Sequence, residues 1–181
     1  MTRSVLRRLT ALAFCGLLAA CAVPLAYPAG PTANTPHFLM DWFVARDGIR
    51  MTVRSWKPPE PAKAVIVALH GFNDYSNFFA EPGAWLADRG IASYAYDQRG
   101  FGDGVRIGLW AGIEAYARDL ADFTALVRRA HPGVPVYVLG DSMGGAVALV
   151  AGAGPAETRP DADGMILAAP AVWGRAAMTW Y

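Results

Sequence analysis

A chain of 181 residues, 54% of them hydrophobic and 17% charged, has enough apolar material for one globular core. Its formal net charge is +1 and no basic cluster occurs beyond the extreme N-terminus, so there is no electrostatic basis for binding nucleic acid. Both cysteines, Cys15 and Cys21, precede the main body of the chain, which excludes a disulfide framework or a paired-cysteine zinc site there. The three histidines are widely spaced, and no metal site is predicted.

The first twenty residues have the layout of a secretory signal peptide. Arg3, Arg7 and Arg8 precede an apolar stretch, Leu9–Ala20, which is too short to span a bilayer. The letters LAAC that end this stretch resemble the lipobox of bacterial lipoproteins. That resemblance implies cleavage before Cys21 and a diacylglycerol on its thiol, which would attach the protein to a membrane surface. An ordinary signal peptide with an incidental cysteine is the alternative interpretation.

These signals predict a signal peptide over 1–20, a lipidated tether over 21–36 and a folded domain over 37–181. The tether is predicted because the segment after the cysteine is rich in Pro, Ala and Gly and lacks helical periodicity. The expected location is the bacterial cell envelope. Residue 22 is Ala, whereas an aspartate at this position would signal inner-membrane retention. This resembles the sorting signal of Gram-negative outer-membrane lipoproteins and favours the outer membrane or periplasmic face over the cytoplasm.

The predicted domain alternates short β-rich runs with amphipathic helical runs. This alternation predicts an α/β fold with a mostly parallel sheet and helices on both faces. An opening hairpin is predicted over Phe38–Arg46 and Ile49–Trp56, because Asp47-Gly48 suits a turn with positive φ. Further strands are predicted at 64–69, 91–96, 135–139 and 164–169, and helices at 78–89, 113–130 and 143–151.

The segment GDSMG at 140–144 follows a valine-rich strand and precedes a helix of small residues. This strand, turn and helix are the setting that the GxSxG nucleophile motif requires. Gly140 and Gly144 leave the sharp turn without bulk, so that Ser142 is held in a strained conformation with its hydroxyl in a cleft. Ser142 is therefore predicted to be the nucleophile. The helix begins at the same point, which predicts that the Met143 amide stabilises the developing oxyanion.

A second oxyanion donor is predicted in the loop His70-Gly71-Phe72-Asn73-Asp74, which follows the buried strand at 64–69. The backbone amide of Phe72 is the expected donor in this loop. Each such donor is commonly worth about 3 kcal/mol of transition-state stabilisation, so two aligned amides would supply a large share of the catalysis.

Four segments in order, VALHGFNDYSNFF, YAYDQRGFG, YVLGDSMGGAVAL and MILAAPAV, resemble monoacylglycerol lipases, lysophospholipases and serine aminopeptidase-like hydrolases of the α/β-hydrolase superfamily. The resemblance covers roughly residues 41–173. It implies the α/β-hydrolase fold, Ser142 as nucleophile, the Phe72 and Met143 amides as oxyanion hole, no cofactor, and an ester or monoacyl lipid as substrate. Asp141 stands where these families usually have histidine, and its charge would slightly oppose the oxyanion.

A general base and its orienting carboxylate follow the nucleophile in this superfamily, in the order Asp or Glu and then His. Acidic residues follow Ser142, but no histidine does. His37 lies at the start of the domain and His131 ends a covering helix, so neither is expected to be the base. His70 is expected to be a structural hydrogen-bonding residue that supports the oxyanion loop.

Two acidic residues and several aromatic residues receive structural interpretations. Asp97 is predicted to fix its loop beside Arg99, and Asp119 is predicted to be a helix-surface or ion-pairing residue. The large aromatic residues are predicted to form core or cleft wall, with contact to an acyl chain as the alternative. They include Trp85, Trp110, Tyr116 and Trp173.

The resemblance also implies further strands, the catalytic acid and base, and often a cap after the sixth strand. The fold is therefore predicted to be truncated after about the sixth strand, with 164–169 as an exposed sheet edge and the 181-residue chain inactive alone. The leading hypothesis is the N-terminal portion of a membrane-tethered serine hydrolase of carboxylic esters. The alternatives are a peptidase or other acyl hydrolase of the same fold, and a non-catalytic lipoprotein that retains the fold.

Overall fold

The structure, a computed structural model, describes residues 26–104 and 106–173. Its strands are β1 (His37–Leu39), β2 (Trp42–Val44), β3 (Arg50–Trp56), β4 (Ala64–Leu69), β5 (Ile91–Tyr96), β6 (Val136–Asp141) and β7 (Gly164–Ala168). Its helices are α1 (Ala80–Ala87), α2 (Ile113–Ala130) and α3 (Met143–Ala153), with short 3-10 helices at Ser76–Phe79 and Ala156–Thr158. Among the described residues, no helix is both long enough and apolar enough to cross a membrane.

Within these ranges the seven strands form one mixed sheet in the order β1-β2-β3-β5-β4-β6-β7. The pairs β1–β2, β2–β3 and β3–β5 are antiparallel. The pairs β5–β4, β4–β6 and β6–β7 are parallel. The predicted mostly parallel α/β sheet is confirmed. Because the carboxyl ends of the parallel strands meet at one edge, the loops after β4, β5 and β6 lie side by side there.

The predicted single strand Phe38–Arg46 is wrong, because the chain reverses within it. Strands β1 and β2 form their own hairpin with Phe38 opposite Phe43, and Met40 in the turn has a φ of 52°. The reversal brings both phenylalanine rings within 5.4 Å of Phe123 on α2, centroid to centroid. Packing both rings against Phe123 outweighs the tendency to form one extended strand. One strand was predicted because the segment contains no Gly or Asn turn signal.

The next hairpin agrees with the prediction. Val44 of β2 pairs with Arg50 of β3, and Gly48 in the connecting turn has a φ of 79°. The Asp47 carboxylate accepts a hydrogen bond from the Ile49 amide, which stabilises the turn.

Helices α2 and α3 cover one face of the sheet and α1 covers the other. On α2 the buried positions recur at helical spacing, as the sequence predicts. The core on that face includes Phe43, Tyr96, Leu120, Phe123, Val127, Val138 and Val147. A smaller cluster lies beneath α1 and consists of Ile66, Ala68, Phe79 and Ala95. The prediction of helices on both faces is therefore confirmed.

Residues 26–34, called the strap below, run along the surface of the domain and belong to the predicted tether. The Tyr27 amide donates to the Trp110 carbonyl at 2.7 Å, and the Gly30 amide donates to the Asp47 carboxylate at 3.0 Å. The amides of the two residues at the end of the strap both donate to the carbonyl of Arg46. The strap therefore contacts the domain at two separated points, whereas the predicted signal peptide and Cys21 lie outside the described residues.

Candidate active site

Ser142 lies at the carboxyl edge of the sheet, between the end of β6 and the start of α3. Its φ of 47° and ψ of −109° place it in a conformation that L-residues rarely adopt. Three backbone hydrogen bonds hold it there: its amide donates to Ala168 at 2.9 Å, and its carbonyl accepts from Ala146 at 3.1 Å and Ala171 at 2.9 Å. The predicted strained strand-to-helix turn is present in the structure.

Glycines make this turn sterically feasible. A methyl group on Gly140 would lie 2.5 Å from the carbonyl oxygen of Gly144, and one on Gly144 would lie 2.4 Å from that of Leu69. One on Gly145 would lie 2.8 Å from Cβ of Pro170. Helix α3 therefore packs with its first turn directly on the end of β4 and on the segment after β7, and a side chain at any of these three positions would prevent that approach.

The loop after β4 lies against this turn. A methyl group on Gly71 would be 3.4 Å from Cβ of Ser142 and 3.2 Å from a carboxylate oxygen of Asp141. The Met143 amide is the first of α3 and has no acceptor inside the helix. Within the described ranges the amide of Phe72 has no backbone acceptor. The structure thus brings the loop that contains Phe72 beside Ser142 and Met143, and it places the Asp141 carboxylate next to the same loop.

His70 is fully buried at the base of this loop, and both of its ring nitrogens have partners. Nδ1 donates to the Gly71 carbonyl at 2.7 Å, and Nε2 accepts from the Gln98 amide at 2.9 Å. The Gln98 side chain also donates to the His70 carbonyl at 2.9 Å. Burial lowers the pKa of His70, although the Gly71 carbonyl and the charge of Asp97 act in the opposite direction. The expected structural role of His70 agrees with these contacts, and the ring is neutral.

Asp97 fixes the loop after β5, as predicted, but its cationic partner is Arg54 and not Arg99. Its carboxylate accepts hydrogen bonds from the Ser76 amide at 2.9 Å, from Arg54 at 3.3 Å and from the Asp103 amide at 3.0 Å. Arg99 turns instead to the other side of the loop. Residues two apart share a side only in an extended segment, and here the chain turns at 99–100, where the Phe101 amide donates to the Gln98 carbonyl at 3.0 Å.

Arg99 connects three parts of the fold. It donates two hydrogen bonds to Asp47 in the β2–β3 turn, at 2.6 and 3.0 Å, and two to Asp119 on α2. All three side chains are nearly buried. Burial alone would lower the pKa of Arg99, but the bonds to Asp119 and Asp47 raise it, so the guanidinium stays charged. Asp119 is therefore a buried pairing residue, whereas the sequence had left a helix-surface position open.

The other histidines lie away from the turn. His131 precedes β6, at the amino edge of the parallel strands, and its Nε2 is 2.8 Å from the hydroxyl of Tyr94. His37 is exposed in β1 and its Nδ1 lies 2.9 Å from the carbonyl of Thr35. Neither ring is brought to the turn at Ser142 by the described elements. No group of three or more potential metal ligands occurs among the residues that the structure describes.

A cleft of about 320 Å³ opens between the loops after β4 and β5. Phe72 and Phe101, whose ring centroids are 5.6 Å apart, line it together with Trp110. The indole of Trp110 stacks on the ring of Tyr116 with a centroid separation of 4.7 Å. The predicted role of Trp110 and Tyr116 as cleft wall agrees with this arrangement, and Phe72 belongs both to the cleft and to the loop beside Ser142.

Sequence reasoning missed the side chains that join these loops. Gln98 was not singled out, although it forms two hydrogen bonds with His70. Asp47 was interpreted only as a turn residue, although it also binds the Arg99 guanidinium. A buried partner for each could have been sought, because Gln and Asp inside a domain require hydrogen bonds. Their actual partners are 28 and 52 residues away in sequence, and no local pattern indicates them.

The chain matches the family model described as serine aminopeptidase, S33, over residues 60–181. It is 32% identical over 141 residues to monoglyceride lipase of Rattus norvegicus, which covers 77% of this chain and 45% of the relative. It is 31% identical over 144 residues to monoglyceride lipase of Homo sapiens, covering 78% of this chain and 45% of the relative. The chain thus spans somewhat less than half the length of these two relatives.

A carboxyl esterase from Bacillus coagulans, solved in complex with glycerol, has a similar fold. The superposition has a TM-score of 0.61 and 20% sequence identity, and covers 73% of this chain and 42% of the esterase. The α/β-hydrolase fold predicted from the four motifs is therefore confirmed. The strained serine turn and the parallel sheet agree with the match to the family model. The chain therefore belongs to the serine aminopeptidase S33 family of α/β-hydrolases.

Proposed function

We propose that the protein is a carboxylic ester hydrolase that acts on monoacyl lipids, with Ser142 as nucleophile and the Phe72 and Met143 amides as oxyanion hole. The observation that carries the proposal is the strained Ser142, with its φ of 47°, against which the Gly71-Phe72 loop packs. A serine in such a turn has its hydroxyl directed into a cleft and the first amides of a helix beside it.

In the proposed reaction the Ser142 oxygen attacks the ester carbonyl and loses its proton to a general base. The two amides bind the oxyanion of the tetrahedral intermediate, and the alcohol leaves with a proton from the same base. Water then attacks the acyl-enzyme by the same route and releases the fatty acid. The amides act through the backbone, so the identities of the Phe72 and Met143 side chains affect only the shape of the site.

The general base is proposed to be none of the three histidines in this sequence. Both nitrogens of His70 are occupied, and His131 and His37 belong to elements remote from the turn. The order of the superfamily places the base C-terminal to Ser142. We therefore propose that residues 1–181 alone hydrolyse esters slowly, and that an Asp or Glu and a His outside this range complete the site.

Monoacylglycerols are the proposed substrate class because two relatives that are at least 31% identical are named monoglyceride lipases. The apolar walls of the cleft beside Phe72 support an acyl or alkyl group as the bound part. A lipid anchor on Cys21 and a location in the bacterial envelope are proposed from the lipobox-like sequence alone.

The test compares the complete gene product with its Ser142→Ala variant on p-nitrophenyl butyrate and on a monoacylglycerol. Removal of the nucleophile should lower kcat by at least about 1,000-fold. Ser55→Ala is the matched control, since Ser55 is exposed on β3, and it should retain full activity. An aminoacyl p-nitroanilide assayed in parallel identifies a peptidase. Equal turnover by wild type and Ser142→Ala would refute the proposal and favour a non-catalytic lipoprotein.

A further inference from the structure

Four large side chains are exposed around the mouth of the 320 Å³ cleft. Their exposed fractions are 66% for Phe72, 39% for Tyr75, 67% for Ile107 and 42% for Trp110, and we call these four residues the apolar rim. They come from the loops after β4 and β5 but line one cleft, so they form a contiguous surface. An exposed apolar surface of this kind usually contacts a partner or a membrane.

The strap contacts the rim on one side. Ala26 forms a parallel bridge with Trp110, and the Tyr27 amide donates to the Trp110 carbonyl. The ring of Tyr27 is 41% exposed and lies 3.4 Å below the guanidinium of Arg106, centroid to Cζ. The chain that precedes Ala26 therefore joins the domain at the apolar rim.

Because the strap is attached to the domain at the rim, the rim must lie close to any membrane anchor that precedes Ala26 in the chain. Cys21 is five residues before Ala26, and five residues of fully extended chain reach at most about 18 Å. The apolar stretch over 9–20 ends immediately before Cys21. Either an acylated Cys21 or that stretch would hold the rim at the surface of the bilayer.

We propose that the apolar rim is a membrane-docking surface whose partner is a zwitterionic phospholipid bilayer. The rim combines Trp and Tyr with other aromatic and aliphatic residues, and a cation lies beside it. This composition is typical of protein surfaces at membrane interfaces. The charges near the rim are of both signs, because exposed Asp103 pairs with Arg54 at 3.6 Å, and Asp74 and Arg106 each adjoin a rim residue in sequence. Insertion of apolar side chains, not attraction to anionic head groups, therefore drives the contact, and it is insensitive to salt.

Docking in this orientation opens the cleft toward the bilayer. Phe72 belongs to the rim, to the cleft and to the loop beside Ser142, so the path from the membrane surface to the nucleophile turn is short. This consequence rests on the proposed ester hydrolase function, whereas the docking itself does not and is tested without any assay of activity.

The experiment uses the full chain with Cys15→Ser and Cys21→Ser, so that the 9–20 stretch is the attachment and one introduced cysteine carries an environment-sensitive nitrobenzoxadiazole label. Ile107→Cys and Tyr75→Cys place the label on the rim, and Met40→Cys, in an 85% exposed turn, is the matched control. On addition of phosphatidylcholine vesicles, we expect about a threefold rise in fluorescence with a blue shift at 107 and 75, and no change at 40.

The same rise should persist between 0.1 and 1 M NaCl, since the contact is apolar. An Ile107→Asp substitution in the Tyr75→Cys chain should lower the fraction of label in the inserted state about tenfold. No response at 107 and 75, or an equal response at 40, overturns the proposal. A label at 107 that is already shielded from aqueous iodide before vesicles are added also overturns it, because a protein segment would then cover the rim.

Discussion

The loop after β5 and the turn at Ser142 after β6 both lie at the carboxyl edge of the sheet, one on each side of the loop after β4, but different forces hold them. The loop is stabilised by buried charged side chains, with Arg99 bound to Asp47 and Asp119. The turn at Ser142 has backbone hydrogen bonds and close packing at Gly140 and Gly144, and none of the ion pairs found among the described residues includes it.

Because of this difference, we expect the two regions to fail in different ways. Loss of a buried charge leaves its partners uncompensated, and the penalty spreads over every element that they join. An added methyl group at a close backbone contact displaces one helix from one strand, so its effect stays local.

Arg99→Met should have the largest effect on stability. It leaves the Asp47 and Asp119 carboxylates buried without their cation and should lower the free energy of unfolding by about 3–5 kcal/mol. Urea denaturation of the complete protein measures the change. Arg118→Met is the matched control, since Arg118 is exposed on the same helix as Asp119, and it should change stability by less than about 0.5 kcal/mol.

A further variant separates the buried charge from the volume of the side chain. Arg99→Met combined with Asp47→Asn and Asp119→Asn should recover part of the lost stability, because no unpaired charge then remains. If Arg99→Met costs less than about 1 kcal/mol, the loop after β5 does not depend on its buried charges and the contrast is wrong.

Gly144→Ala should have the next largest effect, and mainly on the site. Its methyl group would overlap the Leu69 carbonyl at 2.4 Å, which forces α3 away from β4 at a cost of about 2–3 kcal/mol. Gly152→Ala on the same helix is the control, because its methyl group meets only the mobile end of Met165. The Gly152→Ala change should leave the free energy of unfolding nearly unchanged, because the higher helix propensity of alanine, worth about 1 kcal/mol, offsets the contact with Met165. Equal losses in both variants would show that the close contact with Leu69 is not what makes position 144 sensitive.

His70 joins the two regions, and its effect depends on pH. Its folded pKa lies below the unfolded value of about 6.5, so the neutral ring is favoured in the native state. The stability that it contributes is present above pH 6.5 and is lost as pH falls toward the folded pKa, at no more than about 1.4 kcal/mol per pH unit.

The measurement is urea denaturation at pH 7.5, 6.5 and 5.5. The wild type should lose stability across this series, and His70→Gln, which cannot titrate, should lose less. His37→Gln should follow the wild type, because His37 is an exposed residue of β1. An unchanged pH dependence in His70→Gln would contradict a buried neutral histidine at this position.

Much of the fold was predictable because its signals are local. Strand 91–96 and helix 113–130 have the predicted bounds, since a continuous apolar run and a 3.6-residue stripe are visible in sequence. Strand 136–141 extends two residues beyond the predicted end, up to Ser142 itself. The β1–β2 reversal was missed, because the Phe38 and Phe43 rings gain their burial from Phe123, about 80 residues later.

The sequence alone is enough to predict the turn at Ser142, because a GxSxG segment between a buried strand and a small-residue helix requires glycines at close backbone contacts, and that requirement is local. Tertiary structure alone decided that Arg99 pairs with Asp47 and Asp119 and leaves Asp97 to Arg54. It also decided that the first residues of the strap lie against Trp110, on the rim of the cleft. Long-range pairs of this kind depend on which loops the sheet order makes adjacent, and the order β3-β5-β4-β6 is set by packing, not by any segment of the chain.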